Sequence, residues 1–177
     1  MSTLEAFADT VVPGQRRSPS DRAIAGVVSG AGAVQAGALE LLCLPKLPLA
    51  PLLPGMATAL DLRALSYAVR KAVPLFPPEP ALVSLPFNHR TAFLDELCSP
   101  GSIDRDVWQL LALLTALAFD TAAHLETDAA LAAHHPGLLW QQFPLPQPNG
   151  SWYYDRYSYA RQLAPVHPAT TESGSPA

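Results

Sequence analysis

Charge is scarce in this sequence. Asp, Glu, Lys and Arg together make up 15% of its 177 residues, against roughly a quarter of an average soluble domain. So few ionic groups leave little surface to give to water, and part of the apolar surface is expected to lie against a partner. An alanine-rich composition offers a blander account of the 49% hydrophobic fraction. Basic runs are also missing. Arg16-Arg17 and Arg70-Lys71 are isolated pairs and the net charge is −4, so no phosphate-tracking face for nucleic acid is expected.

Long apolar runs are lacking as well. The most apolar stretch, residues 110–119, is bounded by Gln109 and Asp120 and covers about half a membrane span, so no membrane insertion is expected. No apolar leader core follows the start, and the sequence reads as cytoplasmic. The two cysteines, Cys43 and Cys98, sit among apolar neighbours without CxxC spacing. Packed thiols are the expectation, and a disulfide between them stays open. GxGxxG, Walker A, GxSxG, HExxH and CxxCH are all absent, so this chain is expected to hold neither FAD nor NAD by itself, and no complete metal set stands out.

What remains is helix signal punctuated by proline. Ser2-Thr3-Leu4-Glu5 has capping-box spacing, and Leu4, Phe7, Ala8 and Val11 follow at helical intervals until Pro13-Gly14. Ser18-Pro19-Ser20-Asp21 opens a short second helix ending at Gly26. Gly30 and Gly32 lie in a flexible connection before a helix over about 33–42. Further helices are expected over about 56–72, 87–97, 103–126 and 128–134, with the prolines at 74, 77, 78 and 80 forming an extended crossing. In the longest, Val107, Leu111, Leu114, Ala118 and Leu125 form one stripe, and Leu110, Leu113 and Leu117 another. Apolar on most sides, this helix is expected to be central and buried. The fold class is therefore all-α: a single-domain irregular helical bundle around the helix at 103–126. Residues 143–163 form an aromatic, non-helical extension packed on that domain (1–163), and residues 164–177 have the composition of a disordered tail.

Three sets of residues could carry function. Asp120 and His124, four apart on the expected central helix, could form an acid/base pair. With His89 as a third ligand they could also hold a metal, although a hydrogen-bonded packing pair explains them as well. His134-His135, adjacent at a helix end, suit free carbonyls better than a metal. Asp9 could accept a hydrogen bond from the loop between the first two helices. The segment Trp152-Tyr153-Tyr154-Asp155-Arg156-Tyr157-Ser158-Tyr159 packs five aromatic residues into eight. Rings at that density outside a helix suit an interface, with Arg156 and Arg161 as anchors, or a fold-back that closes the chain's own core; both remain open.

Thr3-Leu4-Glu5-Ala6-Phe7-Ala8-Asp9-Thr10-Val11-Val12-Pro13-Gly14, followed by Asp21 and Ala25-Gly26-Val27, resembles the opening of the gluconate 2-dehydrogenase subunit 3 family. The stretches at 32–38, 52–54 and 118–124 resemble an actinobacterial branch of small helical accessory proteins related to it. The resemblance implies a small subunit without catalytic residues of its own. It would bind a large flavin-dependent oxidoreductase of the glucose–methanol–choline type, with FAD in that partner. The binding surface is then expected to include Phe7 on the first helix and Trp152, Tyr153, Tyr154, Arg156, Tyr157 and Tyr159. The family often carries a twin-arginine leader, which is not seen here. The rival expectation is a stand-alone enzyme acting on a small apolar metabolite in a helical cavity, with Asp120–His124 as acid and base.

Overall fold

A helix of ten residues is marginal by itself in water, yet the first helix here has every other major helix packed around it. The computed structural model describes residues 1–137, without the side chains of residues 127, 128 and 131. Within them lie α1 (Ser2–Val11), α2 (Ala38–Leu42), α3 (Leu53–Lys71), α4 (Ala81–Ser84), α5 (Phe87–Cys98), α6 (Arg105–Thr121) and α7 (Thr127–Ala132). No strand occurs among the described residues, and the all-α expectation holds. The expected extension at 143–163 and tail at 164–177 lie outside the described residues.

The central helix is α1 and not the segment at 103–126. Thr3, Leu4, Ala6, Phe7, Ala8, Asp9 and Thr10 are all buried, and α1 touches α2, α3, α4, α5 and α6. Ala6 and Ala8 let neighbours approach closely, and the polar members are internally paired. Thr10 Oγ1 donates to Ala6 O at 2.6 Å. Thr3 Oγ1 donates to Asp61 Oδ2 at 2.7 Å, while Asp61 Oδ1 accepts from Leu82 N at 3.1 Å. One carboxylate on α3 thereby ties α1 to the first turn of α4. The expected capping box does not form: Met1 caps α1 without a side-chain bond, and Glu5 pairs with Arg17 at 2.7 Å.

Two apolar clusters flank α1. The larger joins Leu4 and Phe7 to Leu60, Tyr67, Leu82, Phe93 and Leu111, from α3, α4, α5 and the first half of α6. The smaller, of Ala8, Ala33, Ala38, Leu41 and Ala118, seats the second half of α6 on α2. Its small residues bring these backbones close. α6 buries only Trp108, Leu111, Thr115 and Ala118, a single face at helical spacing. It stops at Thr121 because Ala122 turns left-handed (φ 51°).

The linkers differ from expectation too. Residues 18–26 form turns and bends, not a second helix; Asp21 Oδ1 accepts from Ile24 N at 3.3 Å and its other oxygen from Arg17 Nε at 2.7 Å. The stretch at 30–36 is stapled to 12–15. Gln15 N donates to Gly30 O at 2.6 Å and Ala33 N to Val12 O at 3.0 Å, while Gln35 bridges Gly32 N and Gln15 O at 2.9 and 2.6 Å. A Cβ on Gly32 would collide with the backbone at Val12–Gly14 at about 2.5 Å, so only glycine fits. α2 begins at Ala38, later than expected, because Gly37 takes φ +88°. α3 begins earlier, with Pro54 in its first turn, where a missing amide costs nothing. Cys43 and Cys98 are free thiols.

One buried ion pair locks these parts. Asp9 is 1% exposed and Arg90 3%, with Arg90 Nη1 3.9 Å from Asp9 Oδ2. The carboxylate accepts from Gly14 N at 3.0 Å and Ala25 N at 2.8 Å. The guanidinium donates to Leu85 O (3.0 Å), Ala23 O (2.6 Å), Arg22 O (3.0 Å) and Val83 O (2.7 Å). Burial pushes the Asp9 carboxyl above its ordinary range, against the pull of the two amides and Arg90, and pushes the Arg90 guanidinium down. Removing either partner strands the other charge in the core. Arg90→Met is therefore expected to cost about 3–5 kcal/mol in urea denaturation. Arg70→Ala, at the exposed pair with Glu96, should cost under about 1 kcal/mol. Equal losses from the two variants would refute this account of the core.

Candidate docking face and histidine corner

The expected Asp120–His124 pair is not assembled. It required a helix through residue 126, and α6 ends at Thr121. Past the left-handed Ala122, His124 has left the helix, and no hydrogen bond joins it to Asp120 among the described residues. His124 instead lies against Gly37, where an added Cβ would collide with the imidazole. Its ring centroid is 6.0 Å from that of His135.

His135 is buried. Its Nε2 donates to Ala36 O at 2.9 Å and its Nδ1 accepts from Gly137 N at 3.0 Å, and these partners assign the tautomer. The ring fastens the chain after α7 to the turn before α2, a span of 99 residues in sequence. His134 turns outward at φ 50° and its Nδ1 meets Ala132 O at 3.2 Å. Both histidines thus meet main-chain carbonyls. His89 is occupied elsewhere, sharing a hydrogen bond of 3.2 Å with the Tyr67 hydroxyl. Among the described residues no group of three or more His, Cys, Asp or Glu could hold a metal ion.

His124 Nδ1 is buried and has no hydrogen-bond partner among the described residues. Burial and then the nearby His135 push its pKa below the ordinary histidine value, while Glu40 opposes them.

The expected partner-binding residues also change. Phe7 is 1% exposed and is a core residue, unable to meet a partner, because α1 is enclosed. Trp152, Tyr153, Tyr154, Arg156, Tyr157 and Tyr159 lie outside the described residues. An apolar face does reach the surface, on α6. Val107, Leu110, Leu113 and Leu117 are 45%, 48%, 63% and 38% exposed, at intervals of three and four residues on the side turned away from α1 and α2. Beside its N-terminal half opens a groove of about 460 Å³, lined by Leu49, Leu52, Gly55, Met56, Ala59, Asp104, Val107, Trp108, Leu110 and Leu111. Two of these residues also meet Arg63, which is ion-paired to Asp104 and has its guanidinium carbon 5.8 Å from the centre of the Trp108 ring. Trp108 Nε1 is buried with no acceptor among the described residues. The signal for this face was present in the leucine content of 107–117, but that reading turned both stripes inward. The described fold supplies neighbours for only one.

Fold and site together define an all-α protein that, among its described residues, exposes an apolar face on one helix. Residues 1–177 match the model of a family described as a family of unknown function (DUF5987), and the chain belongs to that family. No curated protein and no solved structure matches it. Among the described residues no helix is long and apolar enough to cross a membrane.

A depressed folded-state pKa at His124 sets the sign of a pH effect. The unfolded chain takes up that proton first, so stability is full above about pH 6.5 and falls as pH drops below it. Urea midpoints measured from about pH 8 down to about pH 5 should decline more steeply for the parent than for His124→Gln, and parallel curves would remove His124 from the effect. Gly37→Ala should destabilise by at least about 1–2 kcal/mol from its left-handed backbone alone, before the collision with His124 is counted; a thermal melt reads it.

Proposed function

We propose that this protein is a non-catalytic accessory subunit that docks on a larger protein through the outward face of α6. The observation that carries this reading is the row Val107, Leu110, Leu113 and Leu117, continuous with the apolar groove at Leu52, Met56 and Trp108. Exposed leucines in one contiguous row mark an interaction surface more often than chance exposure does. The partner we propose is a large flavin-dependent oxidoreductase of the glucose–methanol–choline type, which holds the FAD, as the resemblance at residues 3–14 suggests. A stand-alone enzyme gains no support, because Asp120, His124 and His89 share no site.

Co-expression of the tagged chain with a flavoprotein of that type encoded beside its gene tests the reading. Stoichiometric co-elution with flavin absorbance is expected. Leu113→Glu with Leu117→Glu should weaken binding at least about tenfold, as expected for central apolar contacts, with an unchanged melting temperature. Failure to co-elute at micromolar concentration would sink the flavoprotein assignment.

A further inference from the structure

We infer that the groove beside the N-terminal half of α6 is a binding site for a neutral, apolar small molecule that carries one acceptor oxygen, such as a ketone or ester carbonyl. The inference is independent of the docking reading, because Leu113 and Leu117, the residues whose exchange tests docking, do not line the groove. Two observations carry it. The first is Trp108. This residue lines the groove yet is 3% exposed, and its Nε1–H is buried with no acceptor among the described residues. An indole nitrogen can only donate, and folded proteins rarely leave a buried donor unmet. What this position calls for is therefore an acceptor. Solvent answers it poorly. A buried water holds about two to four polar partners, and Asp104 is the only other polar side chain in the lining.

The second observation is Gly55, which lines the same groove from the first turns of α3. At Gly32 close backbone contact demands a glycine, but a Cβ at Gly55 would meet no atom within 4 Å. Its backbone is not left-handed either. Neither packing nor conformation asks for glycine here, and glycine weakens a helix. Its effect is to leave the groove open.

The rest of the lining sets the class of ligand. Asp104 is its one ionisable side chain and is already paired with Arg63. An ionic ligand would lose its hydration there without gaining a free counter-charge. Leu49, Leu52, Met56 and Leu111 provide aliphatic walls, and the unbranched Met56 can adapt to the shape between them. A volume of about 460 Å³ falls within the roughly 300–1,000 Å³ of small-molecule pockets, which combine such walls with a few convergent polar groups. The ligand's apolar body lies along these walls, and its oxygen accepts from Trp108 Nε1–H.

Titration of the isotope-labelled full-length chain, followed by proton–nitrogen correlation spectra, tests this. Acetophenone is the probe. Its control is α-methylstyrene, in which a methylene group replaces the carbonyl oxygen. Saturable binding of acetophenone with a downfield shift of the Trp108 indole proton is expected. The control should bind at least about fivefold more weakly, as the loss of one hydrogen bond implies. Trp108→Phe should bind the two compounds equally. Gly55→Phe, which places a ring in open space at the groove, should weaken acetophenone binding at least about tenfold without lowering the melting temperature. Equal affinity of the parent chain for both compounds would overturn the inference. So would the lack of saturation up to the solubility of acetophenone, or unchanged binding by Gly55→Phe. No partner enters this measurement, so the flavoprotein assignment can fail while the ligand site stands.

Discussion

The described fold depends on one arginine placed where water cannot reach it. Arg90 sits at a position of α5 where helical spacing, with Phe93 and Leu97 following, asks for an apolar residue. Its guanidinium spends its donors on four main-chain carbonyls from two separate stretches, 22–23 and 83–85. The compensating charge, Asp9, binds two amides of the loop at 14–25. Two charges this deep contribute little net stability over a well-packed apolar pair. What they fix is geometry. The irregular chain between α1 and α2 has no helical hydrogen bonds of its own, and its amides and carbonyls must be paired if it is to lie against the core. Asp9 and Arg90 provide that pairing, and α1 can then be surrounded.

This also explains where a protein with few charges places them. Asp61 and Arg63 act as connectors between helices, and Arg17 joins Glu5 to Asp21 across the first loop. These ties draw charge to the first loop and to the junction of α3 with the start of α6. Beyond Asp106 and Gln109, the outward side of α6 is largely leucine.

The helices with strong periodicity and clear proline or glycine ends were legible from sequence. α1, α5 and most of α3 lie close to where spacing and breakers put them. The centre of the fold was not legible, because apolar content favoured residues 103–126 while α1 owes its enclosure to alanines and satisfied polar groups. Alanine carries little hydrophobic weight but permits close approach, and Thr3, Asp9 and Thr10 look like surface residues until their partners are known. The Asp120–His124 pair failed for a local reason. Nothing in Asp120-Thr121-Ala122-Ala123-His124 announces the left-handed turn at Ala122, since alanine is the best helix former and a poor choice for positive φ. The acceptance of a loop amide by Asp9 was anticipated. Its charged partner, Arg90, lies 81 positions away and could have been suspected only from a charge in an apolar register.

These placements bear on how the family resemblance supports the function. The residues that carry it, Thr3 to Gly14, are the enclosed helix and the start of its stapled loop, and Ala118 is part of the alanine seat on α2. A likeness at such positions speaks to how the chain packs, since each residue there is held by internal contacts. The choice of any proposed partner would belong to residues free of those duties. On the described surface Val107, Leu110, Leu113 and Leu117 are among these, as are Leu62, Leu65 and Val69 on α3, but only the α6 row adjoins the apolar groove. An apolar row kept on a face that the described fold does not need is the physical argument for the proposed binding role, and it does not depend on which partner is proposed.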